Sequence, residues 1–392
     1  MKIVFISHVF TPHQIPLCDE WDRMENVTFT FIEAANIDKS TLPIGWRTDS
    51  TRDYVVDFTT YRSNYAHYQQ KIDDADAVII GSVHVDNVKS RLEKGGMTFI
   101  YSERIYKNIK QILRMPYHLI KFNRLYGGFK NLYLLCASAF SAYDYNRINC
   151  FRDKSFKWGY FTSVSSQKDL IFNSLSSDTG VLSFMWCSRF LDWKHPELPV
   201  KMAANLKKKG YKFHLDMYGS GDEIESIKLL IQTLKVHDVV SIKGEMPNTD
   251  IIDAMRKHDI FLFTSDQNEG WGAVANEAMS NGCTLVASSK IGSVPFLIEH
   301  RSNGCIFESE NLVSLIEQVE WLITNPSKRR ELALNAYYTL HNVWSPRIAA
   351  VRFVHLVGEL TAGKETPYLL GPCSVANILK NNWFKKYDNQ NI

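Results

Sequence analysis

Two glutamates, Glu269 and Glu277, lie eight residues apart in a segment whose other residues suit the binding of an anion. The segment 265–289 reads SDQNEGWGAVANEAMSNGCTLVASS, which indicates a strand, a loop with glycines, a helix, a turn that ends in glycine, and a second strand. A helix that begins near Gly272 directs its unpaired N–H groups and its positive dipole end into the loop, where a diphosphate could bind. Gly270 and Gly272 have no side chain, so a ligand can approach the main chain closely. Glu277 then faces the same ligand, and the two carboxylates can accept hydrogen bonds from two separate groups of sugar hydroxyls.

A second pair of charged residues follows the strand predicted for 181–187. Arg189 and Lys194 come after this strand, and two fixed cations at the carboxyl end of a strand suit a diphosphate, with Arg as a planar fork and Lys as a point charge. Each pair taken alone has a simpler interpretation. Two glutamates at this spacing are most often solvated side chains of a βαβ unit, and two cations at a helix start are common. The glycines, the strand–loop–helix context and the cations together favour a binding site.

The glutamate segment also resembles a known pattern. Residues Glu269 to Gly282 resemble the E-x7-E signature of retaining GT-B glycosyltransferases of family four, and the resemblance extends from Val181 to about Trp344. It implies that Glu269 contacts the hydroxyls of the donor sugar and that Glu277 holds the ribose of the nucleotide. It also implies that the main chain of 271–274 faces the sugar and the diphosphate. The other donor-site residues that the segment implies are Gly270, Trp271, Gly272, Ala273 and Val274.

Three further elements are similar to the family pattern. Arg189 and Lys194 resemble its GR…KG element, in which Ser188 replaces the first Gly and His195 follows Lys194. Residues 218–222 resemble its G-x-G turn after the next strand, and 243–247 resemble the loop that borders the nucleotide base. Any βα unit can carry such glycine turns, so they only support the site. They add to the implied donor site Gly219, Gly244, Glu245 and Met246.

The N-terminal half carries candidates for contact with an acceptor. Relatives usually have a glycine-rich loop after the first strand, but residues 7–16 read SHVFTPHQIP. His13 in this loop is a candidate, although lone histidines are more often structural or solvated. His84 falls where many relatives place a histidine near the reacting carbon. Arg104 could bind an acceptor phosphate, and the alternative is an ion pair with Glu103.

The elements that must position these residues alternate between short apolar strands and polar helices. Among them we predict a strand at 284–288, a helix at 312–324, a helix over 107–125 that is broken or kinked at Pro116, and a helix that starts with Ser345 as its N-cap and Pro346 at its first position. Such alternation is typical of α/β proteins with parallel, doubly wound sheets. The resemblance implies the GT-B fold, with two Rossmann-like domains facing across a cleft and ligands at the carboxyl ends of the strands. The polar stretch at 163–180 marks the boundary. We predict an acceptor domain at 1–165, a nucleotide-sugar donor domain at 166–344, and a C-terminal helix and tail at 345–392 that packs back on the first domain.

The composition excludes several classes of protein. Of the 392 residues 45% are hydrophobic and 22% are charged, and a net charge of +3 gives no reason to expect a nucleic-acid partner. Seven scattered cysteines without a CxxC spacing suit reduced thiols in the cytoplasm better than disulfides or a zinc site. The start, MKIVFISHVF, indicates a strand rather than a signal peptide, and no apolar run approaches the ~20 residues that a membrane span needs. We expect a cytoplasmic protein, peripheral to the membrane at most.

One basic stretch stands out from this even composition. Residues 104–130 contain seven Lys or Arg and no Asp or Glu, so this stretch carries +7 and the rest of the chain sums to −4. Isoleucines, leucines and a phenylalanine alternate with the cations. The stretch could rest on an anionic membrane surface. Alternatively, it is a basic helix that faces solvent or the acidic phosphates of the substrate.

The resemblance implies transfer of a sugar with retention of anomeric configuration and without a metal or another cofactor. The departing nucleoside diphosphate builds negative charge, which the cations and N–H groups would stabilise, while Glu269 would position the sugar ring. UDP is the commonest nucleotide in the family. Segments such as HQIPLCDEW and YSERIYK resemble a bacterial surface-polysaccharide branch, which implies a saccharide or a lipid-linked oligosaccharide as acceptor. The alternatives are a nucleotide-sugar epimerase or a sugar phosphorylase of the same architecture, and a non-catalytic partner subunit. The catalytic candidates are Glu269, Lys194, Arg189 and His84.

Overall fold

The computed structural model describes residues 1–38, 52–166, 168 and 181–388. Its contacts divide the chain into two units, Met1–Ser163 with Val343–Lys380 (unit 1) and Val164–Asn342 with Asn381–Ile392 (unit 2). Most of the polar stretch at 163–180 lies outside the described residues, so the predicted boundary there stays a prediction. Each unit is built on one parallel sheet of its own, which confirms the predicted α/β class with two doubly wound sheets.

The sheet of unit 1 has seven strands that are apolar and largely buried. The central strands are apolar nearly throughout, as expected for parallel strands that are covered on both faces. The strands are β1 (Lys2–Ser7), β2 (Thr28–Glu33), β3 (Val55–Val56), β4 (Ala77–Ile80), β5 (Thr98–Ser102), β6 (Leu132–Cys136) and β7 (Ser155–Lys157). They are ordered β3-β2-β1-β4-β5-β6-β7, and all the pairs are parallel. The helices between them are α1 (Ile15–Asp22), α2 (Phe58–Ser63), α3 (Tyr65–Asp73), α4 (Lys89–Glu93), α5 (Ile109–Leu113), α6 (Met115–Tyr126) and α7 (Ser141–Asn146).

The sheet of unit 2 has six parallel strands. They are β8 (Leu182–Cys187), β9 (Phe213–Tyr218), β10 (Val240–Gly244), β11 (Ile260–Phe263), β12 (Thr284–Ser288) and β13 (Cys305–Phe307). Their order is β10-β9-β8-β11-β12-β13, which is the order of a dinucleotide-binding sheet. The helices are α8 (Glu197–Lys208), α9 (Ile224–Thr233), α10 (Asn248–Met255), α11 (Val274–Ser280), α12 (Val294–Leu297), α13 (Leu312–Thr324) and α14 (Pro326–Asn342).

The C-terminal tail divides between the units. Helix α15 (Pro346–Thr361) starts with the predicted cap, in which Ser345 Oγ accepts from the N–H of Ile348, and Phe353 packs on Trp21 of unit 1 with ring centroids 5.3 Å apart. Helix α16 (Trp383–Asp388) belongs to unit 2, where the Trp383 indole donates to the carbonyl of Ser289 over 2.9 Å. This differs from the prediction that the whole tail packs on the first domain.

Candidate active site

The order of strands in unit 2 reverses between β8 and β11. Strands β9 and β10 lie on one side of β8, whereas β11, β12 and β13 extend on the other side. Doubly wound sheets bind ligands at the carboxyl ends of the strands where the order reverses, because the flanking loops diverge there. The loop after β8, 188–195, carries Arg189 and Lys194, and the loop after β11, 264–273, carries Glu269. The topology therefore brings the two predicted clusters to the same edge of one sheet.

Lys194 and Glu269 form an ion pair at this edge. The Lys194 ammonium contacts Oε2 of Glu269, and the Ser265 hydroxyl donates to the same oxygen over 3.0 Å. The two side chains are only 11% and 12% exposed. Lys194 also lies over the Trp193 ring, 4.2 Å from its centroid. A cation and a carboxylate that are 75 positions apart in sequence are thus held together at the switch point.

The two loops are joined by more than this ion pair. The Thr264 hydroxyl donates to the carbonyl of Lys194 over 2.7 Å and accepts from the Trp186 indole over 2.9 Å. The N–H of Asp266 donates to the carbonyl of Trp193 over 3.0 Å. These contacts involve buried groups or main chain, so they fix the loops relative to the sheet. The site is therefore preorganised before any ligand binds.

His195 occupies the position after Lys194, where the family pattern has glycine. Its φ is +50°, in the left-handed region that glycine adopts most easily. The His195 ring lies between two carboxylates: its Nδ1 is 3.3 Å from Glu197 and its Nε2 is 3.7 Å from Asp266. Burial lowers the pKa of His195, but the Asp266 and Glu197 carboxylates more than offset it and raise the pKa to about 10. An imidazolium at neutral pH therefore links the loop after β8 to the loop after β11.

Arg189 differs from Lys194 in that its side chain is exposed. Within the part of the chain that the structure describes, its guanidinium has no hydrogen-bonding or ion-pair partner. The backbone around it is fixed, since the carbonyl of Arg189 accepts from Leu191 over 2.9 Å. A free, always charged guanidinium on a fixed loop is suited to an anionic ligand.

Glu277 lies in the first turn of α11, a seven-residue helix that begins two residues later than predicted. The Asn248 amide lies 3.4 Å from its Oε1. Burial raises the pKa of Glu277 to about 7, and the Asn248 amide opposes this in part. Burial, and then the charge of Glu277, raise the pKa of Cys187 at the end of β8 to about 12, while Lys194 opposes them. Cys187 therefore lies within electrostatic range of both predicted clusters.

Gly272 and Trp271 have structural roles that the sequence did not indicate. Gly272 has a φ of +81°, and a Cβ there would lie 2.2 Å from Cζ of Phe263 and 3.1 Å from Cγ of Glu269. The Trp271 indole is buried and donates to Asn276 over 2.9 Å. Glycine at 272 is thus required for packing under Glu269, and only the main chain of Trp271 is available to a ligand.

The two glycine turns that resemble the family pattern, at 218–222 and 243–247, have different surroundings. Gly219 has a φ of +125°, and a Cβ there would lie 1.9 Å from the carbonyl oxygen of Ser188. This turn is therefore required for close packing against the loop after β8. Gly244 has open space around its Cβ position, and Glu245 and Met246 after it are exposed. Their predicted contact with the nucleotide stays a prediction.

Known proteins resemble this chain in sequence over most of unit 2 and in fold over both units. Residues 167–339 match the sequence model of the family described as Glycosyl transferases group 1. An uncharacterized glycosyltransferase of Haemophilus influenzae is 25% identical over 173 residues, which are 44% of this chain and 48% of that protein. The amylovoran biosynthesis glycosyltransferase AmsK of Erwinia amylovora is 29% identical over 128 residues, 31% of each chain. The match thus spans less than half the length of both relatives. The crystal structure of HepE from Anabaena in complex with UDP is 17% identical, with a TM-score of 0.63 over 93% of this chain and 100% of that one.

Over residues 167–339, the chain is therefore similar to the group 1 glycosyltransferases. The likeness to HepE extends over both units and shows the GT-B fold. The roles of individual residues are not shown by these likenesses and remain proposals. Among the residues that the structure describes, no group of three or more His, Cys, Asp or Glu side chains could hold a metal ion. The expected independence from a metal stays a prediction.

Unit 1 has a cavity of about 560 Å³ beside the carboxyl ends of β1, β4 and β5. The candidate His13 lines it and is stacked on Tyr160, with ring centroids 5.9 Å and planes 12° apart. The Tyr160 hydroxyl donates to Glu103 over 2.8 Å. Burial lowers the pKa of His13, which favours the neutral ring. His13 thus lies in a polar and aromatic cavity that an acceptor could enter.

The other two acceptor candidates have different surroundings. The His84 ring is 54% exposed, and its Nδ1 lies 3.0 Å from a carboxylate oxygen of Asp86. Its place near the reacting carbon stays a prediction. The structure does not fit the predicted phosphate contact of Arg104, because its side chain is 1% exposed and its Nη2 lies 3.4 Å from Asp144. Glu103 instead pairs with Lys107 over 2.8 Å. Arg104 is therefore an internal charge that is not open to a phosphate and that does not pair with Glu103.

Four residues of the site were missed by sequence reasoning, namely Asn248, Thr264, Ser265 and Asp266. The last three follow β11 directly, and a polar run immediately after a buried strand was an available signal. Asn248 had no such signal, because it approaches Glu277 from the start of a different helix.

Proposed function

We propose that the protein transfers a sugar from a UDP-linked donor to a saccharide or lipid-linked oligosaccharide, with retention of anomeric configuration. The observation that carries this is the Lys194–Glu269 ion pair at the switch point of unit 2. The ion pair places a cation for the phosphate beside a carboxylate for the sugar. The phosphate and the sugar are directly bonded in a nucleotide-sugar, so one donor molecule can contact both side chains. The E-x7-E resemblance supports retention.

The diphosphate of the donor is assigned to the two cations of the loop after β8. Arg189 is exposed and free to form a forked pair with phosphate oxygens. Lys194 is held in place and can transfer one of its three N–H donors from Glu269 to the phosphate. Crystallisation of HepE with UDP supports uridine as the base. Glu277 is assigned to the ribose, as the E-x7-E resemblance implies, and its charge reaches Cys187 at the carboxyl end of β8.

The chemistry that follows is electrostatic. As the bond between the sugar and the phosphate breaks, negative charge grows on the leaving diphosphate, and fixed cations stabilise it without reorganising. Glu269 orients the sugar through its hydroxyls and lies close to the positive character that develops on the ring. The leaving phosphate oxygen takes the proton of the acceptor hydroxyl, so no protein base is needed. His195 positions the two loops and does not touch the sugar.

The setting proposed for this reaction is the synthesis of a surface polysaccharide at the cytoplasmic side of the membrane. The match with the amylovoran biosynthesis glycosyltransferase supports this setting. The cavity that contains His13 is assigned to the acceptor, since its stacked rings suit the apolar faces of a sugar.

The test is the release of UDP from a panel of UDP-sugars, with and without a crude oligosaccharide-lipid fraction as acceptor. We expect one UDP-sugar to be consumed, with acceptor-dependent UDP release and a product that keeps the anomeric configuration. Lys194→Ala and Glu269→Ala should each lower turnover at least about tenfold, as loss of a charge-assisted contact predicts. Lys207→Ala is the matched control, because it removes an ion pair with Asp238 on the surface of the same unit.

Three outcomes would reject the proposal. Conversion of the donor sugar without an acceptor would indicate an epimerase. Phosphate-dependent cleavage of the oligosaccharide would indicate a phosphorylase. No turnover and no UDP binding by pure, folded protein would indicate a partner subunit without catalysis.

A further inference from the structure

Helices α5 and α6 are unusual in unit 1 because neither contains a buried residue. They are joined at Arg114, where the predicted helix over 107–125 is interrupted, and Pro116 lies in the first turn of α6. Only one side of α6 packs on the unit. No helix in the described parts of the chain is long and apolar enough to cross a membrane.

The inward side of α6 is held by specific contacts. His118 Nδ1 lies 3.2 Å from the Tyr106 hydroxyl, and the Asn123 amide donates to the carbonyl of Ile148 over 2.8 Å. The Phe122 ring lies 6.2 Å from the Tyr145 ring. These contacts fix the rotation of α6, so the residues on its opposite side face outward in the folded protein.

The outward side carries large apolar residues. Ile109, Leu113, Tyr117 and Ile120 are 66%, 74%, 61% and 58% exposed. Ile109 and Leu113 lie four residues apart on α5, and Tyr117 and Ile120 lie three residues apart on α6, so each pair follows the helical repeat. A row of four exposed apolar side chains along two consecutive helices usually marks a surface that contacts something apolar.

The charges beside this row are positive and unpaired. Lys110, Arg114 and Lys121 each follow one residue of the row, and Arg124 lies one turn beyond Ile120. None of these four cations forms an ion pair with a residue in the described ranges. The stretch contains no acidic residue, and two of its other cations, at 104 and 107, are already paired internally.

We propose that this face, 109–124, binds an anionic lipid surface. Apolar side chains inserted at the headgroup level together with unpaired Lys and Arg are the features of an interfacial helix. The cations favour an anionic partner, and the apolar row favours a lipid among such partners. A small soluble phosphate would need the cations but not the apolar row. The proposal is independent of the proposed function, since it concerns neither the donor site nor the acceptor cavity.

The test is co-sedimentation of the full-length protein with vesicles of phosphatidylcholine alone or with about 30 mol% phosphatidylglycerol. We expect binding only to the anionic vesicles, and at least about tenfold weaker binding when salt is raised from about 0.1 M to about 0.5 M, because screening shortens the reach of the charges. Lys110→Gln with Arg114→Gln should weaken binding by about 30-fold, at roughly fivefold for each cation near the surface. Ile109→Ser with Leu113→Ser should weaken it at least about tenfold.

Two matched controls distinguish binding by this face from nonspecific binding by other exposed residues. Leu369→Ser with Leu370→Ser removes two residues of the same unit that are 90% and 69% exposed, and Lys208→Gln with Lys212→Gln removes two other exposed cations. Neither should change vesicle binding. Melting curves identify any variant that does not fold, and the serine and glutamine pairs then test the face independently of each other.

Several results would overturn the proposal. These are no binding to anionic vesicles at low salt, equal binding to neutral vesicles, and equal effects of the face variants and their controls. Self-association through the row, seen as a concentration-dependent mass that the serine pair abolishes while vesicle binding is absent, would assign the face to a second copy of the chain. UDP binding is measured on the same samples, so failure of this proposal is distinguishable from failure of the donor site.

Discussion

Removal of Glu269 and removal of Lys194 should have different consequences for the binding of UDP. Under the proposed division of roles, UDP does not use Glu269, because it lacks the sugar, whereas its phosphates require Lys194. In the free protein the Lys194 ammonium is bound to Glu269, and UDP must compete with this contact. Glu269→Ala removes the competitor, and Lys194→Ala removes the phosphate ligand itself.

The magnitudes follow from the contacts. A hydrogen bond to a charged group contributes about 1.5–3 kcal/mol, which corresponds to roughly 10–100-fold in Kd. We therefore expect Lys194→Ala to weaken UDP binding by about 10–100-fold. Glu269→Ala should leave UDP binding unchanged or strengthen it by up to about tenfold, while it abolishes most transfer from a UDP-sugar.

The thermal stability of the Lys194 and Glu269 variants tests the same ion pair independently of UDP binding. Each side chain is about one-tenth exposed, so either single variant leaves a poorly solvated charge and should cost about 1–3 kcal/mol. The double variant should cost less than the sum of the two, because it leaves neither charge unpaired.

The assay is isothermal titration calorimetry with UDP, together with thermal unfolding of the wild type, the two single variants, the double variant and the Lys207→Ala control. Equal weakening of UDP binding by Glu269→Ala and Lys194→Ala would refute the division of roles. So would unchanged UDP binding in Lys194→Ala.

Three further predictions concern backbone strain and titration in unit 2. Gly272→Ala should destabilise the protein by about 1–3 kcal/mol more than Gly244→Ala in thermal unfolding, because both have a positive φ but only the first Cβ would collide, with Phe263; equal losses would contradict this. The pKa of Glu277 is raised from 4.5 to about 7, so between these pH values the folded state holds a proton that the unfolded state has released. The stability of the wild type relative to Glu277→Gln should therefore fall by roughly 2–3 kcal/mol as pH rises from 5 to 8. A difference in urea unfolding between the two proteins that does not change with pH would contradict this. The pKa of His195 is raised from 6.5 to about 10, so its contribution is fully present below pH 6.5 and is lost as pH rises toward 10; His195→Gln should be less stable than wild type by at least about 1 kcal/mol at neutral pH, with a gap that narrows at high pH.

Much of unit 2 was predictable from the sequence because its strands are uninterrupted apolar runs between glycines and polar helices. The strand at 284–288 and the helix at 312–324 were placed at their observed bounds. Helix α14 was missed, because its buried face consists partly of alanines and a tyrosine, which give a weak hydrophobic period. The basic helix at 107–125 was expected with a break at Pro116, but the break falls at Arg114, since proline fits the first turn of a new helix.

The site was predictable as a set of residues but not as a set of contacts. The sequence assigned Lys194 and Glu269 to one ligand, yet nothing in the order of residues indicates that they bind each other across 75 positions. His195 was noted only as a departure from the family glycine, and its left-handed backbone and two carboxylate partners require the fold. Arg104 was misinterpreted for the same reason, because its partner Asp144 is 40 residues away and equally buried.

The central claim is that the two loops at the switch point of unit 2 hold the nucleotide-sugar, and a crystal structure of the protein with UDP tests it most directly. The claim predicts phosphate oxygens about 2.7–2.9 Å from Arg189 and Lys194, with the ribose hydroxyls on Glu277. UDP bound away from β8 and β11, or bound there with neither cation touching its phosphates, would contradict it.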